Sequence, residues 1–354
     1  MISLKPMKKV ILFIFLLLIL TACKGYEVTE IAKSTEQIQE EEIIEEKINT
    51  EKQDPNFNLP ADEDTEGWTQ TLGPVGGVVL KMIPYEDTIW ASLYSGGIYE
   101  LKKDNSWKQI GIGHGLPEVR AFDIVTNEDN TNIVYVPERI ACAAKTIDSG
   151  SSWKGLCSKI LTDIGADNFN SNTLAIDPKD SKTIYIPGYT HDQISMVIIS
   201  KDGGENWEKL SVFDQQYDFN DIIFFNSKIY LATIENGILV SEDKGKTWTE
   251  LNTGLKGMNT ARFVAFKDDL YLLGSLLQYN VRLGGQLYRL SEDASSWEKN
   301  SEVNEVTGLG ANDTALFVGT MDPSPRLWIS TDGNSFEVQE TQGLSDWIGE
   351  ILSL

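Results

Sequence analysis

Ser200-Lys-Asp202-Gly-Gly204-Glu-Asn-Trp207 decides how this chain reads, because the sequence writes it again and again. Ser241-Glu-Asp243-Lys-Gly245-Lys-Thr-Trp248 keeps the same S-x-D-x-G-x-x-W spacing, and Thr146-Ile-Asp148-Ser-Gly150-Ser-Ser-Trp153 keeps it with Thr in first place. Looser copies stand at Asp104 to Trp107, Ser291 to Trp297 and Ser330 to Phe336. The pattern has the chemistry of a tight turn between strands. Short Ser, Thr and Asp side chains bond nearby backbone N–H groups, Gly supplies a positive φ, and the Trp opens the next strand as an apolar anchor.

The anchor aromatics at 107, 153, 207, 248, 297 and 336 are 46, 54, 41, 49 and 39 residues apart. A period of about 40–50 residues is that of a four-stranded propeller blade. The boxes resemble those of the Asp-box (BNR repeat) family, whose sialidase, sortilin and xyloglucanase members are β-propellers. The resemblance spans residues 68–354. It implies an all-β propeller in which the box residues Thr146, Asp148, Gly150, Trp153, Ser200, Asp202, Gly204, Trp207, Ser241, Asp243, Gly245 and Trp248 are structural, in turns remote from the ligand face. It does not choose among activities, since unrelated functions share the box.

Working outward, each repeat reads as four short strands. In the third, 172–177, 183–186, 196–200 and 207–210 are rich in Val, Ile, Tyr and Thr, and Asp-Pro and Gly punctuate them. Second strands recur at 88–91, 132–135, 228–231, 269–272 and 314–317. Residues 67–77 look like a fourth strand with its following loop, and 343–354 like the first strand of another repeat. The expectation is six complete blades plus a composite or incomplete seventh; a closed six-bladed ring with spare ends is the alternative. The propeller is assigned residues 67–354.

Residues 1–22 read as a secretion signal. Lys5, Lys8 and Lys9 precede an apolar run over 10–20, too short for a stable span. Leu20-Thr-Ala-Cys23 resembles a bacterial lipobox, which makes Cys23 the lipidated N-terminus of a membrane-anchored, extracytoplasmic lipoprotein; which membrane carries it stays open. Residues 23–66 form an acidic tether with too little apolar content to offset ordering entropy. The formal charge of −23 leaves −16 for the propeller, given +3 in residues 1–23 and −10 in residues 24–66. Such a surface argues against nucleic acid and suits a monomer with a basic partner or a neutral glycan.

The chain has two histidines, His114 and His191, and no HExxH, CxxC or phosphate-binding glycine loop, so no metal and no cofactor are expected. Sialidases use three arginines and an R-I-P element; here Arg139-Ile140 is followed by Ala141. Residues 75–99 resemble the opening repeat of the xyloglucanases, but Tyr94 and Ser95 stand where that family places a catalytic Asp before Gly-Gly. With one of the two carboxyl groups of an inverting glycosidase gone, the reading is a non-catalytic, envelope-displayed module that binds a glycan or an envelope protein. Glycoside hydrolysis is the alternative, with no catalytic residue assigned.

Recognition is expected on the connections between second and third strands, because long loops on a rigid scaffold concentrate function. The longest, 188–194, 275–284 and 320–326, supply Tyr189, His191, Tyr279, Arg282, Asp322 and Arg326 as candidate ligand contacts. Pairing Thr146 with Trp153 across their turn sets Cys142 opposite Cys157 on neighbouring strands, within disulfide range. Export would favour the bridge, with two buried free thiols as the other reading.

Overall fold

The computed structural model describes Pro74 and residues 79–339, apart from 257–258, 279–280 and 321–325. The expected signal, Cys23, the tether, and (Pro74 aside) both ends assigned to a seventh blade lie outside the described residues, as do Tyr279 and Asp322.

Within them the chain is an all-β propeller. The first blade is β1 (Val79–Tyr85), β2 (Thr88–Leu93), β3 (Gly97–Leu101) and β4 (Trp107–Gln109). The second is β5 (Val125–Thr126), β6 (Val134–Glu138), β7 (Cys142–Thr146) and β8 (Lys154–Gly155). The third is β9 (Ala175–Asp177), β10 (Asp180–Tyr189), β11 (Ser195–Ser200) and β12 (Glu208–Val212). The fourth is β13 (Asp218–Phe225), β14 (Lys228–Ile234), β15 (Ile238–Ser241) and β16 (Thr249–Glu250). All four are antiparallel sheets in which sequence neighbours pair.

The fifth and sixth repeats depart from expectation. They form one seven-stranded sheet, β17 (Thr260–Phe266), β18 (Asp269–Gln278), β19 (Val281–Leu290), β20 (Trp297–Ala311), β21 (Leu316–Thr320), β22 (Arg326–Ser330) and β23 (Glu337–Gln339). The early part of β20 pairs with β19 and its later part with β21. Gly or Pro breaks the links after the first and fourth blades and a helix the link after the second, while 213–217 after the third is a short irregular segment. Residues 297–307 contain neither Pro nor Gly, and the strand turns only at Glu305, whose φ is 54°.

Blades are buried on both faces, so their inner strands are apolar without a break. β11 is the clearest case, all six residues being buried. Its alternation sorts them between two cores: Met196 and Ile198 join Tyr135, Ile160 and Trp207, while Val197 and Ile199 join Phe219, Ile222 and Leu231. Each such aliphatic side chain contributes about 1.5–3 kcal/mol by leaving water.

Between the second and third blades lies helix α1 (Cys157–Ile164). Ile160 and Ile164, one turn apart, are its buried residues, and Gly165 ends it at φ 61° with its N–H on the Leu161 carbonyl, the left-handed cap that glycine favours. The expected ladder register holds, with Lys145 opposite Lys154 and Ala144 opposite Gly155. The neighbouring strand stops there, however, so Cys157 opens the helix instead of continuing β8. Cys142 and Cys157 are joined by a disulfide, their Cα atoms 5.1 Å apart.

Two expected loops are shorter than their sequences suggest. The stretch 275–284 is largely hairpin, with Leu276 opposite Leu283 and Leu277 opposite Arg282. The third blade's loop is 190–194, because β10 and β11 pair up to Tyr189 and Ser195.

Candidate functional site

Up-and-down strands put alternate connections at opposite ends of each blade. First-to-second and third-to-fourth turns share one end, the turn end. Second-to-third loops and the links between blades approach the other, the loop end.

The turn end is closed on itself. Ser200 Oγ donates to Asp202 Oδ1 at 2.9 Å and accepts the Gly204 N–H at 2.8 Å. Asp202 accepts the Asn206 backbone N–H at 2.9 Å and its side-chain amide at 2.7 Å. Ser241 and Asp243 repeat the scheme with Gly245 and Thr247, as do Thr146 and Asp148 with Gly150 and Ser152. Donors converging on these carboxylates hold Asp202 and Asp243 down at about 2 and lower Asp148, because hydrogen bonds to the charged form stabilise it. Gly150, Gly204 and Gly245 have φ of 75°, 92° and 82°, which explains the invariant spacing of the boxes. The Trp indoles are buried or half-buried: Trp153 donates across the seam to the Ile110 carbonyl at 2.8 Å, and Trp207 to the Gly204 carbonyl at 3.2 Å. Saturated carboxylates of this kind have little capacity left for a ligand.

The loop-end candidates are scattered. Tyr189 is the last residue of β10, bridged to Asn170. His191 is exposed, and its N–H is accepted by Asn168 Oδ1 at 2.5 Å. Arg282 and Arg326 are strand residues of β19 and β22, not loop residues. No hydrogen bond, ion pair or ring contact joins Tyr189, His191 and Arg326 to one another among the described residues.

The structure gathers other residues, at the loop end of the first blades and along the innermost strands. Lys81 of β1 pairs with Asp123 at 3.1 Å, and Thr173 Oγ1 donates to the other oxygen of Asp123 at 3.3 Å. Asp221 of β13 accepts the Phe263 N–H at 2.7 Å, and Arg262 of β17 donates to the Leu80 carbonyl at 2.8 Å. Desolvation raises Asp221, opposed chiefly by Lys81. These groups tie the first, second, third, fourth and fifth units together.

Above them, Glu138 at the end of β6 has 0% of its surface exposed. Its Oε1 accepts the Glu118 N–H at 2.9 Å, while Oε2 has no hydrogen-bond partner. Desolvation, with the Glu118 charge adding, pushes its carboxyl up to about 8 against the one accepted bond, so at neutral pH it is a protonated acid. Ser92 Oγ and Trp90 Nε1 are likewise buried and unpartnered, so three unpartnered polar atoms belong to the first two blades. Trp90 packs on Tyr85 and Trp153 towards the turn end, whereas at the loop end Arg139, next to Glu138, lies 6.0 Å over the Phe122 ring, and Tyr94 meets the same ring edge-on at 5.8 Å. Asp218, which accepts from Asn172 Nδ2 at 3.3 Å, is raised by desolvation and lowered by Arg139. Tyr94, at the position where a catalytic Asp was sought, is 41% exposed.

Sequence reading passed over Glu138, Asp218 and the inner charges. The only signal was a Glu closing the apolar run Val134-Tyr-Val-Pro-Glu138, and its burial depends on the remote segment 116–122.

A family model described as the KIB1-4 β-propeller matches residues 116–325, more than half of the chain. No curated protein matches it. Among solved structures, a GH74 xyloglucanase from Xanthomonas campestris aligns at TM-score 0.59 and 15% identity, over 78% of this chain and 49% of that one. An ancestral GH74 enzyme gives 0.57 and 13%, over 75% and 38%. PorZ, a bacterial surface component of the type-IX secretion system of Porphyromonas gingivalis, gives 0.53 and 13%, over 80% and 35%. The chain spans less than half the length of each. At such identities the likeness is one of fold, a fold shared by enzymes and by a secretion-system component.

Proposed function

The chain belongs to the KIB1-4 β-propeller family, and from that premise we propose that it is a non-catalytic binding or assembly module that recognises a glycan or protein partner with its loop end. The observation that carries this reading is the Tyr94–Phe122–Arg139 cluster, which presents an exposed aromatic and a cation where an acid would be needed for turnover. Rigid aromatics beside Arg suit recognition. The repeated boxes belong, on this reading, to the Asp-box type and serve as scaffold. The sheets correspond to six blades, the last two fused, with residues 67–77 and 343–354 completing a seventh.

The module is held at the envelope through lipid on Cys23 and the acidic tether 23–66. The Cys142–Cys157 disulfide supports an oxidising, extracytoplasmic location. Mass spectrometry of the mature N-terminus tests the anchor: an unmodified end at any residue other than Cys23 removes it.

A second reading, glycoside hydrolysis, is favoured by one observation. Glu138 and Asp218 both have raised proton affinity, the property of a general acid. A glycan array and envelope pull-down, run beside a broad glycosidase assay, separate the two. Binding lost in Tyr94→Ala and Arg139→Ala without turnover supports the module. Turnover abolished by Asp218→Asn or Glu138→Gln replaces it with the enzyme.

A further inference from the structure

Seven large apolar side chains are exposed among the described residues, and they are unevenly placed. Ile147 lies in a turn-end box and Val338 on the last strand. The other five are Tyr94, Val119, Ile140, Ile194 and Val212, all at the loop end of the first three blades. Topology and hydrogen bonds fix their level. Gly97 donates to the Val119 carbonyl at 2.8 Å; Phe213, next to Val212, donates to the Ser195 carbonyl at 2.9 Å, next to Ile194. Ile140 lies in the two-strand connection directly after Glu138.

Scattered exposed hydrophobics need no explanation, whereas a concentration on one face marks an interaction surface. Four of the five are branched aliphatics, which offer a sugar ring no flat platform; only Tyr94 could stack on one. The buried core of a polypeptide interface is more apolar than the surrounding surface and can take such side chains. Charge narrows the partner further. The third-blade segments at this end, 165–174, 187–195 and 212–217, contain no Lys or Arg. They expose Asp167, Asp192 and Asp214 beside Ile194 and Val212, on a chain of net charge −23. A second copy would meet its own charge there. A basic partner would be steered in.

We propose that the loop end of the first three blades docks a polypeptide whose contacting segment carries aliphatic side chains together with lysine or arginine. This rests on the binding-module reading and narrows its ligand to one class.

The test uses the full chain and three fluorescent 15-residue peptides of designed composition: leucine with lysine, leucine with glutamate, and serine with lysine. The leucine–lysine peptide is expected to bind best. Ile194→Ser/Val212→Ser should weaken it at least ~10-fold, the scale of two lost apolar contacts. Asp192→Asn/Asp214→Asn should flatten its salt dependence, and Ile147→Ser at the turn end should leave affinity within ~2-fold. Equal affinity for all three peptides, or indifference to Ile194→Ser/Val212→Ser, overturns the proposal. So does a concentration-dependent dimer abolished by that double substitution, which assigns the face to a second copy. A glycan-array signal lost in Tyr94→Ala, with no peptide bound, overturns it and leaves the module reading standing. Silence from peptides and glycans alike removes both.

Discussion

The turn end and the loop end are made by the same strands, yet they treat polar groups in opposite ways. At the turn end Ser200, Asp202 and Gly204 satisfy one another within eight residues of chain, and Trp207 seals the turn with 5% of its surface exposed. At the loop end Glu138 is buried with one oxygen unpartnered, and five large apolar side chains face water. Locally saturated turns stabilise the ring independently of what it binds. Frustrated groups persist only where something other than stability retains them. The proposed recognition at the loop end rests on this contrast and not on any relative.

The sharpest way to break the contrast is Trp207→Ala, which should cost about 3–5 kcal/mol in denaturant unfolding while peptide or glycan affinity of the folded fraction is unchanged. A matching fall in affinity would place binding at the wrong end. Next comes Cys142→Ser/Cys157→Ser. The bridge closes a separation of 15 residues, so its loss should lower stability by about 3 kcal/mol, and non-reducing against reducing melts of the wild type should differ alike.

Glu138→Gln tests the loop end from the other side, since it should stabilise. The folded carboxyl keeps its proton up to about 8, while the ordinary value is 4.5. Wild-type stability therefore declines as pH rises through that window, by at most about 1.4 kcal/mol per unit, and levels off above 8. The variant should show no such slope and exceed the wild type by a margin that grows as pH rises from 4.5 to about 8, with the two converging below pH 4.5. Parallel profiles would mean that Glu138 is ionised and solvated. The smallest effect is Ser200→Ala, which leaves the buried Gly204 N–H without its acceptor and should cost about 1–2 kcal/mol by urea titration, again without touching affinity.

The turn end was legible because its chemistry is local. Ser-x-Asp-x-Gly-x-x-Trp contains its own donors, acceptors and φ requirement, so the third-blade strands fall within a few residues of where the sequence sets them. The loop end was not, because its properties are made at a distance. Glu138 is buried by residues about 20 positions earlier, and Asp218 is crowded by Arg139 and Asn172 from other blades. Nor did 275–284 declare itself a hairpin, since Gln278 and Val281 extend their strands only by pairing with one another. Helix α1 did carry a readable sign in Ile160, Ile164 and Gly165, hidden by the strand rhythm around it.

One feature of the scaffold has a mechanical side. β20 is at once the outer strand of one repeat and the inner strand of the next, so no flexible joint separates the last two units. Detaching β21–β23 exposes the very strand against which β19 is laid. The two units therefore open and close as one cooperative block in hydrogen exchange, with 297–311 as its spine, while the first four blades, each with its own sheet and an irregular link, can exchange separately. A protease meets no extended linker at that junction, and a load pulling on the C-terminal strands is passed to the fifth unit through backbone instead of through side-chain packing.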